Sequence, residues 1–188
     1  MKDSIVAECR KAALAFQELE TVAEAIEAAC VVCIRAIQQG RTLYFCGNGG
    51  SAADAQHFAA ELVGRYHKER LAFRAVALTV DSSVLTSVGN DYGFKEVFSR
   101  QVEGFVKEGD VLVAISTSGN STNVLRAIGV AKKLGAKTVG LTGRNGGKMM
   151  NLCDVAICAP AGDIPHIQEL HTAIGHILCG EIEGACCA

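Results

Sequence analysis

No stretch of this chain is both long and apolar enough to span a bilayer, although 49% of its residues are hydrophobic. Neither sign of charge predominates: 18 Lys and Arg stand against 20 Asp and Glu, a formal net charge of -2. That balance excludes a basic nucleic-acid footprint and an acidic tail. The opening residues, MKDSIVAECRK, are too polar for a secretory signal. Internal repeats and low-complexity segments are missing too. So are two nucleotide signatures: the G-x-x-x-x-G-K-[ST] phosphate loop is absent, and Gly47-x-Gly49-Gly50 does not fit the G-x-G-x-x-G dinucleotide pattern. The expectation is a soluble, cytoplasmic protein that binds neither nucleic acid nor membrane. Its 188 residues suit a single domain with a core of its own.

Nine cysteines is an odd number, which argues against a disulfide framework. Cys30 and Cys33 have C-x-x-C spacing, but they lie inside the helical pattern AIEAACVVCIRAI with no second pair at zinc-finger spacing. They read as small buried hydrophobes in a reducing compartment. Cys9, Cys46, Cys153, Cys158 and Cys179 also fall in apolar segments, and Cys186 and Cys187 near the terminus read as incidental.

Residues 3–38 carry apolar side chains at helical intervals, from Ile5, Cys9 and Ala12 to Cys33 and Ile37, with no proline or glycine before Gly40. One long helix, or two broken near Gln17 to Thr21, must bury that stripe on the domain or on another subunit. After Gly40 strands and helices alternate. Strands are expected at Thr42–Cys46, Ala75–Thr79, Val111–Ser116, Thr138–Thr142 and Asp154–Ala159. Helices are expected at Ser51–Gly64, Ser82–Val88, Phe94–Phe105, Ser121–Leu134 and Asp163–Glu183, with a short turn near Gly147–Asn151. Uniformly apolar strands in repeated βα units predict an α/β fold: a doubly wound, parallel, five-stranded sheet covered by helices on both faces. Its ligands should bind at the carboxyl ends of the strands.

One stretch carries the most chemistry. In LYFCGNGGSAADAQHFAAELVG the apolar run Leu43–Cys46 stops at Gly47-Asn48-Gly49-Gly50, and Ser51 then opens a helix. Glycines that admit a close ligand, followed by the free N–H groups of a first helical turn, form an anion cradle. His57 and Glu61, spaced i, i+4, share one face of that helix as an acid/base or metal pair. A second strand–loop–helix junction, Ile115-Ser116-Thr117-Ser118-Gly119-Asn120-Ser121, offers hydroxyls to a phosphate, with Ser121 placed to cap the helix. Taken alone, it is equally an ordinary serine-rich turn. Asn90 and Asp91 either cap a helix beginning near Phe94 or hydrogen-bond sugar hydroxyls. On the last helix Gln168, Glu169, His171 and His176 are candidates. Gln168 and His176 are separated by roughly 12 Å along the axis. They share a site only by reaching toward each other, or one is delivered to a neighbouring subunit.

The motifs CGNGGSAADAQHFAAELVGRY, NDYGF, ISTSGNSTNVL, LTGRNGGKM and IQELH…H, in this order over almost the whole chain, resemble the SIS (sugar isomerase) domain family, and more narrowly its phosphoheptose isomerases. The resemblance implies a ketose–aldose isomerase acting on sedoheptulose 7-phosphate to give D-glycero-D-manno-heptose 7-phosphate, for lipopolysaccharide cores or other bacterial surface glycans. It implies that Asn48, Gly49, Gly50 and Ser51 line the sugar-phosphate site, that Asn90 and Asp91 contact hydroxyls, and that Ser116, Thr117, Ser118 and Ser121 hold the phosphate. It further implies one zinc per subunit on His57, Glu61, Gln168 and His176, and a homotetramer with active sites at subunit interfaces. Enediol chemistry needs a base at carbon and an acid at the carbonyl oxygen. Glu61 is the expected base and His176 the acid. Whether Glu61 is ligand, base or both stays open, and a glutamine oxygen is a weak ligand, so modest metal affinity is expected. Where some relatives carry an acid three positions before the glutamine, this chain has Pro165. The rival expectations are a non-catalytic SIS protein that binds the replication initiator, whose known examples lack the glutamate at position 61, and an isomerase of another sugar phosphate.

Overall fold

A computed structural model describes residues 1–143 and 145–187. Five strands, β1 (Leu43–Gly47), β2 (Ala75–Ala77), β3 (Val111–Ser116), β4 (Lys137–Gly143) and β5 (Val155–Ala159), form one sheet in the order β2-β1-β3-β4-β5. Every neighbouring pair is parallel. The expected doubly wound α/β architecture is present, and the strand order reverses direction between β1 and β3. That reversal opens a crevice beyond the strand ends, where this type of sheet binds ligands.

The pleat sends Leu43 and Phe45 to one face of β1, Tyr44 and Cys46 to the other. On the first face lie α2 (Ala23–Gln38), α3 (Gly50–Val63) and α8 (Ile164–Cys186). On the second lie α4 (Ser82–Tyr92), α5 (Ser99–Phe105), α6 (Thr122–Lys133) and the short α7 (Met149–Leu152). Burial on both faces accounts for the uniformly apolar strands.

The N-terminal stripe breaks, as the sequence allows, into α1 (Lys2–Glu18) and α2, joined by a 3-10 turn at Leu19–Val22. Their fates differ. Ile26, Ala29, Cys30, Cys33 and Ala36 of α2 are buried. No residue of α1 is buried, and its Ile5, Leu14 and Phe16 stand exposed. Cys9 is likewise exposed, against expectation, because α1 lies outside the core. Cys30 and Cys33 are buried as expected; desolvation pushes the Cys30 thiol up to about 11 and that of Cys33 higher still.

Several boundaries differ from those expected. β2 stops at Ala77. Asp81 caps α4 by accepting from the Val84 N–H, and α4 then runs on to Tyr92. The stretch expected as one helix from Phe94 is a 3-10 turn, Phe94–Glu96, followed by α5. Asp163 is the N-cap of α8, which extends past Glu183 to Cys186.

Glu183 closes the far end of the site-bearing layer. Its carboxylate accepts the N–H groups of Tyr66, His67 and Lys68 at 2.7–2.9 Å and the Arg70 Nε–H at 3.1 Å. Arg70 in turn donates to the carbonyls of Glu61, Leu62, Gly64 and Leu71, fixing the end of α3. Burial by itself would raise the Glu183 pKa; the donors from Lys68, His67, Tyr66 and Arg70 outweigh it and lower the value to about 2. A folded-state pKa below the unfolded value of 4.5 means the contribution is complete above that pH and is lost as the pH falls toward about 2. Urea unfolding at a series of pH values should therefore show the wild type losing roughly 3 kcal/mol more than Glu183→Gln across that window. Parallel curves would exclude Glu183 as the acid-sensitive lock.

Candidate active site

Three elements converge at the crevice. β1 ends in Gly47, and the chain turns through Asn48 and Gly49 into α3. Gly49, at the N-cap, has φ 56°, a left-handed conformation that glycine takes without strain. β3 ends in Ser116, and its loop enters α6 at Ser121. The two loops are joined by a reciprocal amide pair: Asn48 Nδ2 donates to Asn123 Oδ1 at 2.9 Å, and Asn123 Nδ2 returns the bond to Asn48 Oδ1 at 2.8 Å. Asn123 is buried and was not singled out in the sequence, since its partner is 75 residues away.

Ser121 occupies the N-cap position of α6, but its side chain makes no capping bond. Its hydroxyl lies 2.9 Å from that of Ser116, which lies 3.5 Å from the Ser118 hydroxyl. Three hydroxyls thus gather at one point, and Thr117 and Ser118 line an adjoining cavity of about 280 Å³. The loop after β4 braces this one. The Gly143 and Met149 N–H groups donate to the carbonyls of Thr117 and Gly119, and the Lys148 N–H donates to Asn120 Oδ1. Close approach of Gly146 and Gly147 to the serine loop gives LTGRNGGKM a physical reason.

The third element is α8, which runs parallel to α3 in successive rungs. Gly50 faces the Gln168 amide, and a Cβ at Gly50 would lie 2.5 Å from its nitrogen. One turn on, Thr172 Oγ1 donates to Asp54 Oδ1 at 2.9 Å. A further turn on, His176 Nε2 lies 3.3 Å from His57 Nε2, which lies 3.1 Å from Glu61 Oε1. Gly175 permits the approach, since a Cβ there would sit 2.0 Å from the Phe58 ring. Burial raises the Asp54 pKa against the lowering effect of the Thr172 bond, and burial lowers that of His171, whose Nε2 bonds the Thr142 carbonyl.

His57, Glu61 and His176 therefore come together, with one ligand atom from each within 4.8 Å of the others. Two imidazole nitrogens and a carboxylate oxygen thus form a converging donor set of the kind that holds a metal ion. The Gln168 amide stands against Gly50 at the glycine turn. Asn90 and Asp91 do not cap the following helix. They form the exposed last turn of α4, linked by an Asn90 Nδ2 to Asp91 Oδ1 bond of 2.8 Å.

A parallel sheet with hydroxyl and glycine loops at its switch point is a ligand-binding α/β architecture, and the SIS domain family model matches residues 9–143, so the chain belongs to the SIS-domain family. Similar proteins within it include phosphoheptose isomerases. The one from Rhodospirillum rubrum is 53% identical over 188 residues, covering 100% of both chains. That from Nitratiruptor is 58% identical over 158 residues, 84% of each. The structure of phosphoheptose isomerase from Neisseria gonorrhoeae superposes with a TM-score of 0.92 at 41% identity, covering 97% of this chain and 98% of that one.

Gly175→Ala tests whether close α3–α8 contact holds the triad. It should cost about 1–3 kcal/mol in urea unfolding, because the Phe58 ring has nowhere to retreat in a packed core. Unchanged stability would show that the helices separate freely.

Proposed function

We propose that this chain interconverts sedoheptulose 7-phosphate and D-glycero-D-manno-heptose 7-phosphate through an enediol. The observation that carries the reading is the convergence of His57, Glu61 and His176 two turns along the same helix from the glycine turn. From Gly50 to His57 α3 rises roughly 10 Å, a span suited to an extended sugar with its phosphate at one end and its carbonyl near the other. The similarity to proteins named phosphoheptose isomerase over the full chain supports the same substrate.

The phosphate is held by the hydroxyls of Ser116, Thr117, Ser118 and Ser121 and by the N–H groups at Gly49, Gly50 and Ser51. Asn48, Asn90, Asp91 and Gln168 contact the sugar. Glu61 removes a proton from C1 of the ketose, the C–H electrons form the C1–C2 double bond, and His176 protonates the oxygen on C2. Return of a proton to C2 and loss of one from the C1 hydroxyl give the aldose. Oε1 of Glu61 is turned to His57, which leaves the second carboxylate oxygen for the proton. His57, Glu61 and His176 hold one zinc per subunit, with Gln168 delivered by a neighbouring copy. When bound, the ion supplies Lewis-acid polarisation of the carbonyl.

A homotetramer with interface active sites is supported by α1, whose exposed Ile5, Leu14 and Phe16 find no core within the chain. Beside them Phe16, Leu19, Ala23, Ile26 and Ile177 line a cavity of about 390 Å³. No helix of the described residues is long and apolar enough to cross a membrane. We place the enzyme in the cytoplasm, feeding heptose to lipopolysaccharide or another surface glycan.

Glu61→Gln should lower kcat by about 10²–10⁴-fold with unchanged circular dichroism and oligomeric size. Retained turnover would remove Glu61 as the base. Ser116→Ala should raise KM roughly ten- to a hundredfold, since a hydrogen bond to a charged group is worth about 1.5–3 kcal/mol. An unchanged KM would move the phosphate elsewhere.

A further inference from the structure

A second cluster of ligating groups lies away from the triad, where α1 meets the start of α8. His166, on the first turn of α8, has a side chain only 8% exposed. Its Nδ1 lies 2.9 Å from Glu169 Oε2, and since a carboxylate only accepts, Nδ1 carries the proton. That leaves Nε2 as the coordinating nitrogen. Nε2 is buried and makes no hydrogen bond among the described residues. It faces two carboxylates, Glu8 Oε1 at 3.2 Å and Asp163 Oδ2 at 3.9 Å.

A buried ring nitrogen facing two carboxylates calls for positive charge among them, carried either by a second ring proton or by a metal ion. We propose that Glu8, Asp163 and His166 bind a divalent transition-metal ion, a site separate from the His57–Glu61–His176 triad. One atom from each of the three lies within 4.8 Å of the others. One imidazole and two carboxylates form a donor set suited to zinc or manganese. The Glu169 bond to Nδ1 is the outer-shell carboxylate that a metal-bound histidine characteristically has. Lys11 Nζ holds the other Glu8 oxygen at 3.1 Å and so turns Oε1 toward the site. An open cavity of about 420 Å³, with Lys11, Asp163 and His166 in its wall, admits the ion.

Such an ion ties α1, which buries no residue of its own, to the N-cap of the helix that carries Gln168 and His176. Its role is structural: it seats the arm.

Equilibrium dialysis of the purified full chain against zinc, compared with Glu8→Gln and Asp163→Asn, tests this. Asparagine still caps a helix, so Asp163→Asn removes charge and ligand while keeping α8 intact. Each variant should bind one zinc fewer per chain than the wild type, with unchanged circular dichroism. Equal stoichiometry in the three proteins would overturn the proposal and leave a protonated His166 as the countercharge. The difference is read independently of the triad: if that site took no zinc, the wild type would bind one and the variants none.

Discussion

The site depends on how closely α3 and α8 run side by side. Two helices in register bring Gly50 to Gln168, Asp54 to Thr172 and His57 to His176, and the missing Cβ of Gly175 makes room for the Phe58 ring between them. A line of polar groups thereby extends from the glycine turn to the triad, backed by one apolar layer on the sheet. Glu183 and Arg70 lock its far end by absorbing the free N–H and carbonyl groups where α3 stops. Rigid helices rather than loops set the distances among His57, Glu61 and His176.

The opposite wall comes from the sheet. Because α3 and α6 cover different faces, the ends of β1 and β3 part at the switch point, and the Asn48–Asn123 pair spans the gap. Serine hydroxyls of the β3 loop and the glycine turn at the start of α3 lie at that crevice. From the loop after β4, the Gly143, Lys148 and Met149 N–H groups brace the serine loop.

Much of this was legible along the chain because it is local. The apolar run Leu43–Cys46, the glycine turn and the i, i+4 pair His57 and Glu61 each declare themselves within a few residues. The eight-residue spacing of Gln168 and His176 says that they are far apart along one helix, and not which groups of α3 each one faces. What was not legible depends on partners far away in sequence. Glu183 looks like a surface residue of a final helix until Arg70, 113 residues earlier, folds against it. Asn123 reads as a helix-start residue until Asn48 arrives. Ser121 sits at the cap position, yet the neighbouring Ser116 hydroxyl competes successfully for its side chain. Helical periodicity likewise could not say that the apolar stripe of α1 finds no core within its own chain.

The most direct measurement is incubation of the purified protein with sedoheptulose 7-phosphate in deuterated water, with and without a chelator. Enediol chemistry at Glu61 and His176 predicts aldoheptose phosphate carrying solvent deuterium at C2, deuterium washed into C1 of recovered ketose, and loss of both on chelation with recovery on adding zinc. Product formed without solvent deuterium at either carbon would contradict proton exchange at the site. A folded, zinc-loaded sample that yields neither product nor exchange would contradict the isomerase assignment itself.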